Sequence, residues 1–284
     1  MGYLALAILA SFSISLIVKR NEVEGVDTLS VLAANYLSAA LIGWGLALGR
    51  GQLTSSKPTL WLSLGGSLLW PGTFFLLMWG IRRYGIALVG SISRLSLSVP
   101  VLYGLVFLGE TPTLQAGLGI VATLAACILL NPRRQSKAAS LDRSAVWYFP
   151  VLIVSFGLAD LWVNLFNTLS HPDERDLFTA LLFTGAGVIT GLVMVRTKRS
   201  PNRRAIGRGL VLGIPNYFST FFLMRSLQTP AFAGASAVAY ALYSAASVSL
   251  AFAAGALGWK ERISRLQLIG VVAALTAVVL LNFS

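Results

Sequence analysis

Apolar runs alternate with short polar breaks along the whole chain. Ten apolar segments can be marked, near 3–19, 29–48, 59–81, 85–108, 113–131, 147–167, 177–195, 206–225, 231–257 and 264–282. Each is close to the roughly 20 residues that a helix needs to cross a bilayer. One stretch complicates the pattern. Residues 91–98 read SISRLSLS, a strict polar/apolar alternation that by itself signals a strand. Its flanks, GIALVG and VPVLYGLVFLG, are apolar on both sides, and Arg94 is the only charge between Gly85 and Leu108. The octet therefore reads as part of a fourth membrane helix that carries a full charge. Such a charge costs at least about 3 kcal/mol at the bilayer centre.

Composition agrees with membrane insertion. Of 284 residues 56% are hydrophobic and only 11% charged, with a mean hydropathy of +0.77. Soluble domains average about 25% charged residues. Little chain lies outside the segments, which leaves no room for a soluble domain. The longest breaks, near 132–146 and 196–205, are polar and basic. The first twenty residues carry their charges after the apolar run, not before it. They read as a first span and not as a cleaved signal.

The net charge of +12 does not point to nucleic acid, because the basic residues sit in short connectors, where topology signals lie. Connectors 1–2, 3–4, 5–6, 7–8 and 9–10 hold nearly all of them; the other connectors and the tails hold only about four. That bias puts RTKRSPNRR and NPRRQSK in the cytoplasm and both termini outside. One cysteine, Cys127, and one histidine, His171, exclude a disulfide and a zinc cluster, so neither a metal nor a cofactor is expected. His171 lies in the loop HPDERD and reads as solvated. No nucleophile pattern such as GxSxG and no phosphate-binding GxxxxGK[ST] is present. An enzyme is not expected, and any transport must draw on ion gradients or exchange.

The chain repeats itself. ETPTLQAGLGIVATLAACILLN from Glu110 matches ERISRLQLIGVVAALTAVVLLN from Glu261 at a shift of 151, including Gly119 on Gly270 and the closing asparagines. The same shift lays Ser93, Ser96 and Ser98 on Ser244, Ser247 and Ser249. Earlier in the chain a shift of 144 lays Ser11-Phe12 on Ser155-Phe156 and Pro71 on Pro215. The fold expected is an all-α integral membrane protein, with ten transmembrane helices arranged as two five-helix repeats. Residues 1–131 form the first repeat, 132–146 a basic connector and 147–284 the second repeat. An odd number of spans per repeat inverts one relative to the other, as in many secondary transporters.

In its ten short-looped segments, its duplication and the endings LGETPTLQAGLGIVATLAACILLN and GWKERISRLQLIGVVAALTAVVLLN, the chain resembles the drug/metabolite transporter superfamily, in its ten-helix EamA-type branch. The second ending reads GWKE where that branch commonly has LGE. The resemblance implies a transporter of a small metabolite, from amino acids to sugar phosphates, nucleotide sugars or drugs, mostly by export or exchange. It also implies termini in the cytoplasm, the reverse of what the basic residues indicate.

Polar residues inside the spans are the candidate site. Arg94 has Ala245 as its repeat counterpart, so architecture does not require it. On a helix, Ser91, Arg94 and Ser98 fall within about 60° of one another. Asp160 reads as the only acid deep inside a span; it and Arg94 differ in depth by about 6 Å, within reach of an arginine side chain. They form either a structural ion pair or a functional couple. In a functional couple Arg94 holds an anionic group, and Asp160 carries a proton or orients an amine. Lys19, Asn35, Tyr36, Asn164, Asn216, Tyr217, Tyr240 and Tyr243 complete a set of amides and aromatics suited to a polar organic solute. Singly, each also suits helix-to-helix hydrogen bonding. The partners expected are a small-molecule substrate and the lipid bilayer, with no nucleic acid, for a monomer in the bacterial inner membrane. The alternative is a non-transporting membrane scaffold or lipid scramblase.

Overall fold

A computed structural model of the chain describes residues 1–84, 89, 94–129, 144–198, 202–258 and 264–282. Among these the protein is all helix. The helices are α1 (Gly2–Val23), α2 (Thr28–Gly49), α3 (Lys57–Tyr84), α4 (Ser98–Val106), α5 (Leu114–Leu129), α6 (Ala145–Leu169), α7 (Arg175–Arg196), α8 (Arg203–Leu227), α9 (Ser236–Gly258) and α10 (Arg265–Asn282). Each follows an apolar run read from the sequence. A 3-10 turn, Arg94–Leu97, leads into α4, so the polar/apolar alternation of the octet makes no strand from Arg94 onward. Ser91, the Arg94 side chain, Glu261 and most of the 132–146 connector lie outside the described residues.

Among the described residues, five stretches are long and apolar enough to cross a membrane: Gly2–Asn21, Thr28–Gly49, Lys57–Gly80, Ala145–Leu169 and Pro172–Arg196. Large apolar side chains face outward along several helices, among them Trp61, Phe107, Leu114, Trp147 and Val195. Water would not tolerate so apolar a surface, whereas lipid is indifferent to it. The prolines Pro71, Pro150 and Pro215 lie within continuous helices.

The helices gather into two compact units, Met1–Gly72 with Trp162–Ser226, and Thr73–Leu161 with Leu227–Ser284. Each unit draws on both halves of the sequence, and α3 and α6 each contribute to both.

In the first unit α2 packs along α7. Gly43 lies so close to Ala180 that an added Cβ would stand 2.8 Å from its Cα, while Gly187 meets the Cβ of Tyr36 at an ordinary 3.6 Å. The chain numbers rise on one helix as they fall on the other, so the pair is antiparallel. The two contacts are also reciprocal at the shift of 144, which lays Gly43 on Gly187 and Tyr36 on Ala180. A second pair repeats the relation: Ser38 Oγ donates to the Leu210 carbonyl at 2.9 Å, and Gly66 abuts Leu182. Serines tie the remaining seams. Ser63 Oγ donates to the Phe178 carbonyl at 3.3 Å and Ser67 Oγ to that of Leu182 at 3.1 Å, which sets α3 parallel to α7. Small residues bring backbones into contact where no hydrophobic force acts between helices. At the start of α2, the Asp27 carboxylate accepts from the backbone N–H of Ser30 at 3.1 Å, capping the helix.

In the second unit α5 packs along α10, and α9 touches α4, α5 and α10. Gln115 Nε2 donates to the Leu280 carbonyl at 3.3 Å, and Ala126 packs against Ala274, so α5 and α10 are antiparallel as well. Glu110 crosses to the start of α9. Its carboxylate accepts from Ser236 N at 2.8 Å, Ser236 Oγ at 2.5 Å and Ala237 N at 2.9 Å. The acid that opens the repeated segment therefore caps a neighbouring helix.

Candidate functional site

The candidate residues fall into both units. In the second, Gly157 of α6 presses onto the 3-10 turn that carries Arg94. A Cβ at Gly157 would stand 2.8 Å from the Ser96 carbonyl oxygen and 2.4 Å from Val99 Cβ. Asp160 lies three residues further along α6, on the same side of the helix. It therefore faces toward the turn whose backbone includes Arg94. Tyr240 of α9, almost fully buried, donates its hydroxyl to the Asp160 backbone carbonyl at 2.8 Å. Ser98 Oγ turns inward on its own turn, donating to the Leu95 carbonyl at 2.7 Å. Tyr243 is half-buried one turn along from Tyr240. Helix α6 thus meets α4 at Gly157 and α9 at Asp160.

The first unit holds the amides. Asn216 Nδ2 donates to Asn35 Oδ1 at 3.2 Å, and Asn35 is buried. The pair lies next to Gly213, whose Cβ would stand 2.5 Å from the Asn35 carbonyl oxygen. Tyr36 stacks on Phe183 with ring centres 6.0 Å apart. Asn164 is buried, and Asn167 Nδ2 donates to the Met224 carbonyl at 3.2 Å. Lys19 sits half-buried near the end of α1. One turn on, Glu24 binds Arg20, Arg204 and Arg208. Hydrogen bonding to Arg20 first, then to Arg208, holds the Glu24 carboxyl below the usual carboxylate range.

Tyr217 leads to residues that the sequence reading passed over. Its hydroxyl, fully buried, donates to Asp176 Oδ1 at 3.1 Å, while Asp176 Oδ2 takes Arg50. The reading of HPDERD as a loop therefore needs correction: His171 and Asp173 are exposed, but Arg175 and Asp176 are 3% and 1% exposed and form the first turn of α7. Asp176 is thus a buried acid at a helix end, whereas Asp160 is half-buried. The signal lay in the sequence as an acid–base pair flush against the apolar run LFTALLF, where a solvated loop has no need of one. Among the described residues no three of His, Cys, Asp and Glu gather as a metal site.

Comparison with known proteins places these features. Residues 1–131 match the model of the EamA-like transporter family. A protein of Haemophilus influenzae whose function is uncharacterised is 26% identical over 297 aligned positions, covering 100% of this chain and 98% of its own length. A crystal structure shares the fold with a TM-score of 0.80 at 14% identity, over 99% of this chain and 95% of that one.

Proposed function

We propose that this chain, whose first 131 residues match the model of the EamA-like transporter family, is an integral membrane protein and a secondary transporter of a small polar organic solute. It works by alternating access, driven by an ion gradient or by exchange, as a monomer in the bacterial inner membrane. Its ten helices are ten spans in two inverted repeats, 1–131 and 147–284.

The observation that carries this reading is the reciprocal packing of α2 on α7. Helices equivalent under the repeat run antiparallel and exchange the same contacts, Gly43 to Ala180 and Gly187 to Tyr36. Such a reciprocal contact is the mark of a local two-fold relation. The antiparallel pair α5 and α10 supports the same relation in the second unit. Inverted repeats let a structure exchange its two halves' conformations and so open in turn to either side. The polar groups that suit a solute are Asp160, Tyr240, Tyr243, Ser98 and Arg94, with Ser91 beside them in sequence, and the amide set Asn35, Asn164 and Asn216 with Tyr36, Tyr217 and Lys19. Asp160 is the group chosen here to carry a coupling proton or to orient an amine.

Counterflow in proteoliposomes tests the proposal. Vesicles preloaded with amino acids, sugars, organic phosphates or cationic drugs should accumulate one labelled class and not the others. Fluorescent lipid crossing the bilayer with no solute counterflow would favour a scramblase instead.

A further inference from the structure

Of the five apolar stretches among the described residues, that of α1 is the least enclosed. Only 11% of it is buried, against 56% for α2 and 33% for α6, its counterpart in the proposed repeat. Ile14 and Ile17 rest on Val31, Ala205 and Leu212 of α2 and α8. Ser13 and Ser15 turn back on α1 itself, donating to the carbonyls of Leu9 at 2.9 Å and Ser11 at 3.1 Å. The equivalent pair, α6 on α3, is tied along its length: Trp162 Nε1 donates to the Leu62 carbonyl at 2.7 Å and the Tyr148 hydroxyl to that of Leu76 at 3.2 Å. An element with few enclosed contacts opens at low cost.

The strongest contacts of α1 lie at its ends, on α8, which runs antiparallel to it. At the first end Tyr3 stacks on Phe222 with ring centres 6.4 Å apart, and Arg225 Cζ stands 5.7 Å from the Tyr3 ring centre. At the last end Glu24 binds Arg204 and Arg208 of α8 together with Arg20 of α1, and Asn21 Oδ1 accepts from Arg208 Nη1 at 2.9 Å. The side chains of Glu24 and Arg208 are 25% and 19% exposed, so salt screens their attraction less than that of a free surface pair. The same end carries a cost. Asn21 Nδ2 is enclosed there and makes no hydrogen bond, a penalty that is returned when water enters.

We propose that α1 is a gate helix and that Glu24 is its latch: by holding Arg204 and Arg208 the carboxylate keeps this end of the α1–α8 seam shut, and its release admits water between the two helices. The seam then has a shut and an open state, and the Glu24 pairs belong to the shut one alone. The other seam closes on an acid too. Glu174, just past α6, accepts from the Ser56 backbone N–H at 3.0 Å and from Ser56 Oγ at 2.8 Å, at the start of α3. Its donors there are neutral, whereas those of Glu24 are charged and bind more strongly. The two latches are therefore unequal, and the difference favours closure at the Glu24 end. That the opening serves transport rests on the alternating-access reading; the latch itself does not. A brace with no gating role loosens the whole fold when broken and exposes no one seam.

The test uses full-length protein in nanodiscs, with Cys127 changed to serine and one cysteine introduced. Ala205→Cys reports on the seam, where Ala205 is 0% exposed; Leu212→Cys, from the same contact, serves should Ala205→Cys fold poorly. Thr123→Cys, at a position 0% exposed in the second unit, is the reference. The readout is the rate of labelling by a water-soluble maleimide, which is slow at both positions while Glu24 is present. Glu24→Gln should raise the Ala205→Cys rate about tenfold or more, the population shift that follows when charged hydrogen bonds are lost from one of two states. It should leave Thr123→Cys unchanged. The exchange of Glu24→Arg with Arg208→Glu restores an opposite pair and should restore the slow rate. An unchanged rate at Ala205→Cys, an equal rise at both positions, or no recovery in the exchange overturns the latch. Failure here with counterflow intact leaves the transporter reading standing, and faster seam labelling in a protein without counterflow does the reverse.

Discussion

Glu110 shows how one side chain fixes a helix end in this protein. Its two oxygens accept from two backbone N–H groups and a hydroxyl at the start of α9. A carboxylate there satisfies orphan donors and meets the positive end of the helix dipole. Glu110→Ala should therefore cost about 2 kcal/mol, the upper range for a lost cap, and Glu110→Gln about half of that. Thermal unfolding in detergent would measure both, and an unchanged melting temperature in Glu110→Ala would remove the cap from the account. Asp160 calls for a different readout. Its backbone carbonyl, not its carboxylate, takes the Tyr240 hydroxyl, so Asp160→Asn leaves that tie intact. Transport by the variant should lose its pH dependence, because an amide neither takes up nor releases the proton. Counterflow measured across pH decides; a parental pH profile in Asp160→Asn excludes the carboxylate from coupling.

Between elements, contact depends on the smallest residues, and the two related seams of α2 and α7 are not equally tight. At Gly43 a methyl group would meet Ala180 backbone at 2.8 Å, which cannot move aside as a flexible side-chain end would. At Gly187 the nearest atom is 3.6 Å away. Gly43→Ala should therefore destabilise by about 1–3 kcal/mol through overpacking. Gly187→Ala should be neutral or gain up to about 1 kcal/mol from helix propensity. Equal melting temperatures for the two variants would contradict the seam as described. The elements themselves were legible in the sequence, because an apolar run of membrane length has one outcome in lipid, where every backbone group must bond within its own helix. The proposed repeat rests in the sequence on polar anchors such as Glu110 and Glu261 and on Pro71 and Pro215. Which side chains meet was not legible. Ser236 and Ala237, whose N–H groups Glu110 caps, are remote from it in the chain. Asp176 reads as a loop residue because the span was drawn from its first leucine, whereas α7 begins two residues earlier and buries the acid against Tyr217. Hydropathy locates spans but gives no account of ions paired at their ends.

At the scale of the whole molecule, orientation follows from how arginines are used and not only from where they are counted. The first unit has a charged cluster at each end. At one, Glu24 gathers Arg20, Arg204 and Arg208 from the ends of α1 and α8, next to connectors rich in further Lys and Arg. At the other, Arg50 pairs with Asp176, Arg50 and Arg175 lie against the Phe221 ring, and Arg225 lies against the Tyr3 ring. The positive-inside rule concerns basic residues available in short loops during insertion. The second cluster has few others around it, so the rule predicts that the first end is the one retained in the cytoplasm. This predicts that RTKRSPNRR is cytoplasmic and Thr54 is outside, with both termini outside as well. With Cys127 changed to serine, single cysteines at the exposed positions Thr54 and Thr197 separate the two orientations. A membrane-impermeant maleimide added to intact cells should label Thr54→Cys, and should label Thr197→Cys only after permeabilisation. The reverse pattern would match the cytoplasmic termini that the EamA-type resemblance implies. It would turn the second cluster toward the cytoplasm and would leave the helices and their packing as they are.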